Sequence, residues 1–215
     1  SLDGIKTILF YPVFGLLITG FLMLMINVPM KAINDGLNSF LTGLSGTNAA
    51  LLGALLAAMM AADLGGPINK AAYVFGTATL ATTVAEGGSV VMASVMAGGM
   101  VPPLAIFIAT VLFKNKFTKD QKEAGLTNIV MGLSFVTEGA IPFAAADPLR
   151  AIPSFVIGSA LTGALVGAFN IQLMAPHGGI FVVLLLSKPL LFLLFILIGA
   201  IVSGIIFGLL KKEVT

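Results

Sequence analysis

The 215 residues are 58% hydrophobic and 9% charged, with a mean hydropathy of +1.10, no cysteine, no tryptophan and one histidine. That composition belongs to an integral membrane protein rather than a soluble domain, and 11 basic against 9 acidic residues leave a net charge of +2, too slight for a nucleic-acid partner. Without cysteine this sequence carries no internal disulfide, no thiolate metal site and no nucleophilic or phosphorylated cysteine.

No basic segment with a short apolar run and cleavage site follows Ser1, so no cleaved signal peptide is expected. Residues 8–26 are an apolar run long enough to cross about 30 Å of hydrocarbon at ~1.5 Å per residue, closed by Asn27 and Pro29. Over residues 30–44, Lys31, Asn34, Asp35 and Asn38 interrupt Ile33, Leu37, Phe40 and Leu41. This spacing predicts a short amphipathic connector helix at the interface. Residues 47–62 are apolar and small but short for a span, and they stop at Asp63-Leu64-Gly65-Gly66-Pro67-Ile68-Asn69-Lys70. A second helical run over 71–83 makes the pair a hairpin around a polar break. Residues 89–113 predict a span, bent at Gly98, Gly99, Pro102 and Pro103.

Residues 114–123 carry four lysines and are expected to be cytoplasmic. A second hairpin over 126–148 follows, then a span over 152–169, an irregular stretch at Ala175-Pro176-His177-Gly178-Gly179, and a last span over 190–210 before Lys211 and Lys212. If 126–148 returns to the side it left, two spans separate the basic stretches and both face the cytoplasm. The expected fold is all-α: a polytopic transmembrane helical protein with re-entrant hairpins. It forms one membrane domain over 1–215, divided into a first span plus connector (1–44) and a substrate-holding unit (45–215) with hairpins near 47–83 and 126–148.

The centre of this plan is residues 130–150, where Thr137, Glu138, Asp147 and Arg150 stand among apolar residues broken by Gly139, Pro142 and Pro148. Non-helical backbone at membrane depth persists only inside protein or along a water-filled cavity. An ionisable residue there marks function, and paired interrupted segments point to a substrate site near the midplane. The tip of the second hairpin therefore presents Glu138 to a polar substrate.

The strings MMAADLGGPINKAAYVFG, MAGGMVPPL, GLSFVTEGAIPFAAADPLR and APHGGIFV, in this order, resemble the fructose-specific membrane component (enzyme IIC) of the bacterial phosphoenolpyruvate-dependent sugar phosphotransferase system. The resemblance covers the C-terminal part of that domain, since family members carry further spans upstream. It implies a homodimer in the bacterial cytoplasmic (inner) membrane, in which a substrate-holding unit with two re-entrant hairpins moves against a dimerisation unit. It also implies that fructose or a related sugar is phosphorylated on the cytoplasmic side, usually to the 1-phosphate, by a phosphocysteine on a separate IIB domain. Phosphotransferase activity would then belong to this chain only jointly with phosphorylated IIB, with no metal and no cofactor.

Glu138 matches the family's glutamate motif, with Thr137 beside it; it binds sugar hydroxyls and takes the proton of the attacking hydroxyl, with burial raising its pKa toward a useful base. Its structural alternative is a carboxylate capping a half-helix. His177, in Pro-His-Gly-Gly, either bonds the sugar or is a satisfied structural histidine. Lys70, one turn into a helix begun by Pro67 whose free amides point into the site, meets an anion; otherwise Asp63 and Lys70 pair and hold the break together. Asp63, Asn69, Lys70 and Thr137 are all candidate substrate-binding residues, with Asn69 first among the trio at the break to touch sugar. Asp147 reads as an N-cap, and Arg150, the one arginine, as a phosphate contact near the cytoplasmic mouth. Phe135, Phe143 and Tyr73 stack on a sugar ring or serve as core. Two other functions fit the same residues: a secondary transporter with Glu138 as proton-coupling carboxylate, and a non-transporting scaffold.

Overall fold

Backbone inside hydrocarbon has no water to bond, so helix is its default and every interruption needs a partner. The computed structural model describes residues 6–44 and 48–213. Among them there is no strand, only two isolated bridges, Ser89 to Leu173 and Leu173 to Leu186. Four stretches are long and apolar enough to cross a bilayer: Lys6–Pro29, Val90–Leu112, Pro148–Ala168 and Pro189–Leu210. They match the four expected spans, and the protein is an all-α polytopic membrane protein.

The chain divides into two units, Ser1–Gly43 and Leu44–Thr215. In the first, a π-turn at Lys6–Phe10 leads into α1, Tyr11–Leu44. The sequence reading stops the first helix at Pro29 and begins a separate connector; the structure instead carries α1 unbroken through Pro29. A proline forfeits one backbone N–H, and over 34 residues the remaining ladder bridges the gap. The side chains of Ile33, Leu37, Phe40 and Leu41, on which the amphipathic reading rests, lie outside the described residues, as does Thr47.

The second unit holds α2 (Ala49–Ala62), α3 (Pro67–Thr83), α4 (Val90–Leu112), α5 (Lys119–Leu133), α6 (Ile141–Ala146), α7 (Pro148–Ala168) and α8 (Pro189–Leu210). Its axis is α4, which packs against α2, α3, α5, α7 and α8 and buries Met92, Met96, Met100 and Ile106 completely. The helix starts where Ser89 Oγ accepts from the Met92 amide at 3.0 Å.

Apolar helices in lipid gain little by hiding apolar surface from one another, so close backbone approach and hydrogen bonds across helices must hold them. Antiparallel α2 and α7 meet at Gly53 and Gly163, where a Cβ on either residue would strike the other's carbonyl oxygen. Ser159 Oγ donates to Gly98 O at 2.9 Å, tying α7 to α4, and Thr162 Oγ1 shares its proton between Gly158 O of its own helix at 3.0 Å and Phe195 O of α8 at 3.2 Å.

The ends sort accordingly. Lys116 Nζ donates to Leu209 O at 3.0 Å, so the lysine-bearing stretches after α4 and α8 lie at one end of this unit, as the parity argument requires. At the other end of α4, Ser89 and Leu173 exchange backbone bonds of 2.9 and 3.2 Å, and Met174 N donates to Leu185 O at 3.1 Å. These bonds pin the neck of a loop that dips inward until Gly179 rests on the Leu133 carbonyl. The sequence reading confines irregular chain to 175–179, whereas α7 ends at Ala168 and α8 begins only at Pro189.

Gly163→Ala drives a Cβ into the Gly53 carbonyl, and a loss of about 1–3 kcal/mol is expected as an earlier thermal transition in detergent, followed by size-exclusion chromatography. The sequence contains no cysteine of its own, so single cysteines at Asn115 and Lys212 should react with an impermeant thiol reagent from one side of the membrane, and one at Gln172 from the other.

Candidate functional site

Two helix breaks meet against the middle of α4. In the first, α2 ends at Asp63, and the chain turns through Leu64 at φ 52° and Gly65 at φ 116°. The carboxylate of Asp63 then caps α3: Oδ2 accepts from Ile68 N at 2.7 Å and Oδ1 from Asn69 N at 2.9 Å, while Pro67 brings no N–H to satisfy. The amides expected to face the site are therefore occupied, and Asp63 does not pair with Lys70. Lys70 Nζ instead lies 3.6 Å from Glu138 Oε1.

In the second break, α5 ends with Val136 N donating to Met131 O at 2.8 Å and Phe135 N to Gly132 O at 3.2 Å. This double bond pattern wants a left-handed residue at its turn, normally glycine; here it is Phe135, at φ 63°. Thr137 Oγ1 donates to Gly99 O at 2.9 Å, which fixes the short 3₁₀ turn Thr137–Ala140 to α4 about 14 Å from that helix's start, close to mid-span. Gly65 comes so near that a Cβ there would stand 2.8 Å from Glu138 Oε1. The inward-dipping loop delivers His177, whose ring lies 4.8 Å from that of Phe135 and edge-on to Tyr73 at 6.3 Å.

Met60, Asn69, Lys70, Tyr73, Phe135, Thr137, Glu138 and His177 together line a cavity of about 240 Å³, room for one small polar molecule rather than a drug-sized one. It holds one cation and one anion. The Lys70–Glu138 pair is long, and its side chains are 60% and 45% exposed, so it adds little stability and both groups can turn to a ligand. The burial expected for Glu138 is not found, nor does it cap a helix: its neighbours are Gly65 and Lys70. Asn69 is buried and spends its Nδ2 on Met60 O at 2.7 Å, leaving Oδ1 for the cavity. Thr137 is buried too, with its proton committed to Gly99.

Other candidates fall elsewhere. Arg150 Nη1 donates to both oxygens of Asp147 at 3.0 and 2.9 Å, and neither residue lines the cavity. Asp147 stands at the start of α7 without capping it by its side chain, because Arg150 holds the carboxylate. Phe143 is core, packed edge-on against Phe117, whereas Phe135 and Tyr73 are cavity wall. Met60 carried no signal among ten methionines. Among the described residues, no group of histidine and carboxylates is arranged to hold a metal.

The sequence profile described as "Phosphotransferase system, EIIC" matches residues 1–158. The chain belongs to the EIIC family. Over its whole length it is 52% identical to the "PTS system fructose-specific EIIABC component" of Bacillus subtilis (strain 168), of which it covers 33%. It is also 52% identical to the "Fructose permease IIC component" of Bacillus amyloliquefaciens, covering 69% of that protein. To the "PTS system fructose-specific EIIB'BC component" of Escherichia coli (strain K12) it is 44% identical, over 99% of this chain and 38% of the relative. The chain thus spans between a third and about two thirds of the relatives it matches. No solved structure matches it.

Asp63→Ala removes two capping bonds and should cost about 1–2 kcal/mol of stability. Lys70→Ala, which breaks only an exposed pair, should stay within about 0.5 kcal/mol. Thermal unfolding of the two variants in one detergent separates these outcomes.

Proposed function

We propose that this chain is the sugar-holding part of a fructose permease of the phosphotransferase system, which delivers fructose or a close relative to the cytoplasmic side for phosphorylation by a IIB partner. The observation that carries the proposal is the convergence, in one small cavity beside mid-α4, of Glu138 and Lys70 from two helix breaks and His177 from an inward-dipping loop. The relatives' names supply the sugar and the coupling to IIB.

Tyr73 and Phe135 offer apolar faces to a sugar ring, while Asn69 Oδ1, the lone pairs of Thr137 and the ring nitrogens of His177 meet its hydroxyls. Glu138 takes the proton of the 1-hydroxyl as that oxygen attacks phosphorus. The phosphorus–sulfur bond of the IIB phosphocysteine breaks, and the thiolate leaves with the electron pair. Such transfers ask mainly for positioning and charge stabilisation, which a held hydroxyl and one carboxylate supply. The phosphate ester is trapped, and uptake needs no ion gradient. In this reading the lysine-bearing ends face the cytoplasm across the inner membrane, the hairpins are re-entrant, and the protein works as a homodimer.

With the full-length parent protein in membrane vesicles, phospho-IIB and labelled fructose, Glu138→Gln at equal abundance should lower fructose phosphate formation by roughly 10²–10⁴-fold while keeping part of its sugar binding. A wild-type rate in the variant removes Glu138 as base. Uptake that ignores IIB and collapses with an uncoupler would replace this reading with a proton-coupled transporter.

A further inference from the structure

Asn128, on α5, is 2% exposed, and half of its amide has no use in this arrangement. Its Nδ2 donates to Ala124 O at 3.0 Å. Only the NH₂ end can bond a carbonyl, so the orientation is fixed and Oδ1 must face the other way. There it is fully buried without a donor. What it faces is Gly139, the residue after Glu138: a Cβ at that glycine would stand 2.5 Å from Asn128 Oδ1, so only a hydrogen on Cα fits between them. A buried acceptor left unmade is costly, and an apolar residue of the same shape would avoid the cost.

The donor best matched to it is one residue's reach away. Gly139 N bonds Val136 O at 3.5 Å, at the outer limit of a hydrogen bond. The poorly held amide thus belongs to the same glycine whose Cα side faces the unpaired acceptor, one residue after the proposed base and four beyond the strained Phe135. We infer that Asn128 is a positioning residue for Glu138: when substrate engages the carboxylate, the Gly139 N–H passes from Val136 O to Asn128 Oδ1, turning the 138–139 peptide and aiming the carboxylate. The strained turn at Phe135 supplies a segment with two arrangements close in energy.

This inference rests on Glu138 being the reacting carboxylate, so the test carries a readout that does not depend on turnover. Asn128→Leu fills the space without an acceptor, and Asn128→Asp keeps one. In the full-length parent protein in vesicles, Asn128→Leu should still bind fructose, with a Kd weakened by no more than about tenfold because the bond forms on binding, yet at saturating fructose lose at least about tenfold in phospho-IIB-dependent rate, by analogy with misplacement of reacting groups. Asn128→Asp should recover most of it. By hydrogen exchange read with mass spectrometry, fructose should slow exchange over residues 136–141 in wild type and in Asn128→Asp but not in Asn128→Leu. Equal rates in Asn128→Leu and wild type overturn the inference, as does the same loss in both variants, which marks a packing role. If wild type forms no phosphate ester, the functional reading fails by itself; unchanged exchange over 136–141 in every variant then sinks the Asn128 role as well.

Discussion

The hydrogen bond from Thr137 to the carbonyl of Gly99 is the contact on which the site depends, because it decides at what depth a broken helix can stop. A chain threading hydrocarbon cannot leave its helix without finding partners for the freed backbone groups. Here Asp63 supplies them for the first break, closing two amides of α3. At the second, α5 closes its own carbonyls through Phe135 and Val136, and Thr137 then moors the following turn to mid-α4. With both breaks satisfied and moored, Glu138 and Lys70 can face each other across a cavity instead of being buried as unpaired charges.

The strain is placed unevenly. Two helices of the second unit end in the same doubly bonded turn: α7 with Asn170 at φ 49° and α5 with Phe135 at φ 63°. Asparagine visits the left-handed region at small cost, whereas a bulky aromatic residue there costs on the order of 1–2 kcal/mol. The costly version stands in the cavity wall: Phe135 is 4% exposed, and its ring lies 4.8 Å from the imidazole of His177 at a tilt of 42°. The structural end of α7 takes the inexpensive residue, and the strained turn belongs to the cavity.

The charge balance of the cavity follows the same logic. A lone carboxylate at that depth would be costly, and Lys70 answers it without locking it, through a single long contact between half-exposed groups. Asp147 and Arg150, in contrast, are bonded to each other at both carboxylate oxygens. One pair is long and half-exposed at the cavity, and the other is closed.

Much of this was legible in the sequence. Apolar runs of sufficient length fix the spans, because hydrocarbon thickness sets a minimum number of residues, and Gly-Gly-Pro and Thr-Glu-Gly within apolar surroundings mark where helices break. The motifs also resembled the right family. What the sequence could not decide is partnership. The sequence reading assigned Asp63 to Lys70 or to the substrate; only the fold of the first break turns its carboxylate onto two amides of α3. Whether Lys70 faces Asp63 or Glu138, and whether Phe143 or Phe135 lines a cavity, depends on which helices α4 gathers around its midpoint. That depends on glycines such as Gly53 and Gly163 letting backbones approach. Local chemistry marked the two breaks at the cavity and which side chains are polar, though not the course of α1 through Pro29. Long-range packing decided which of those side chains meet, since contacts between residues far apart in sequence have no local signature.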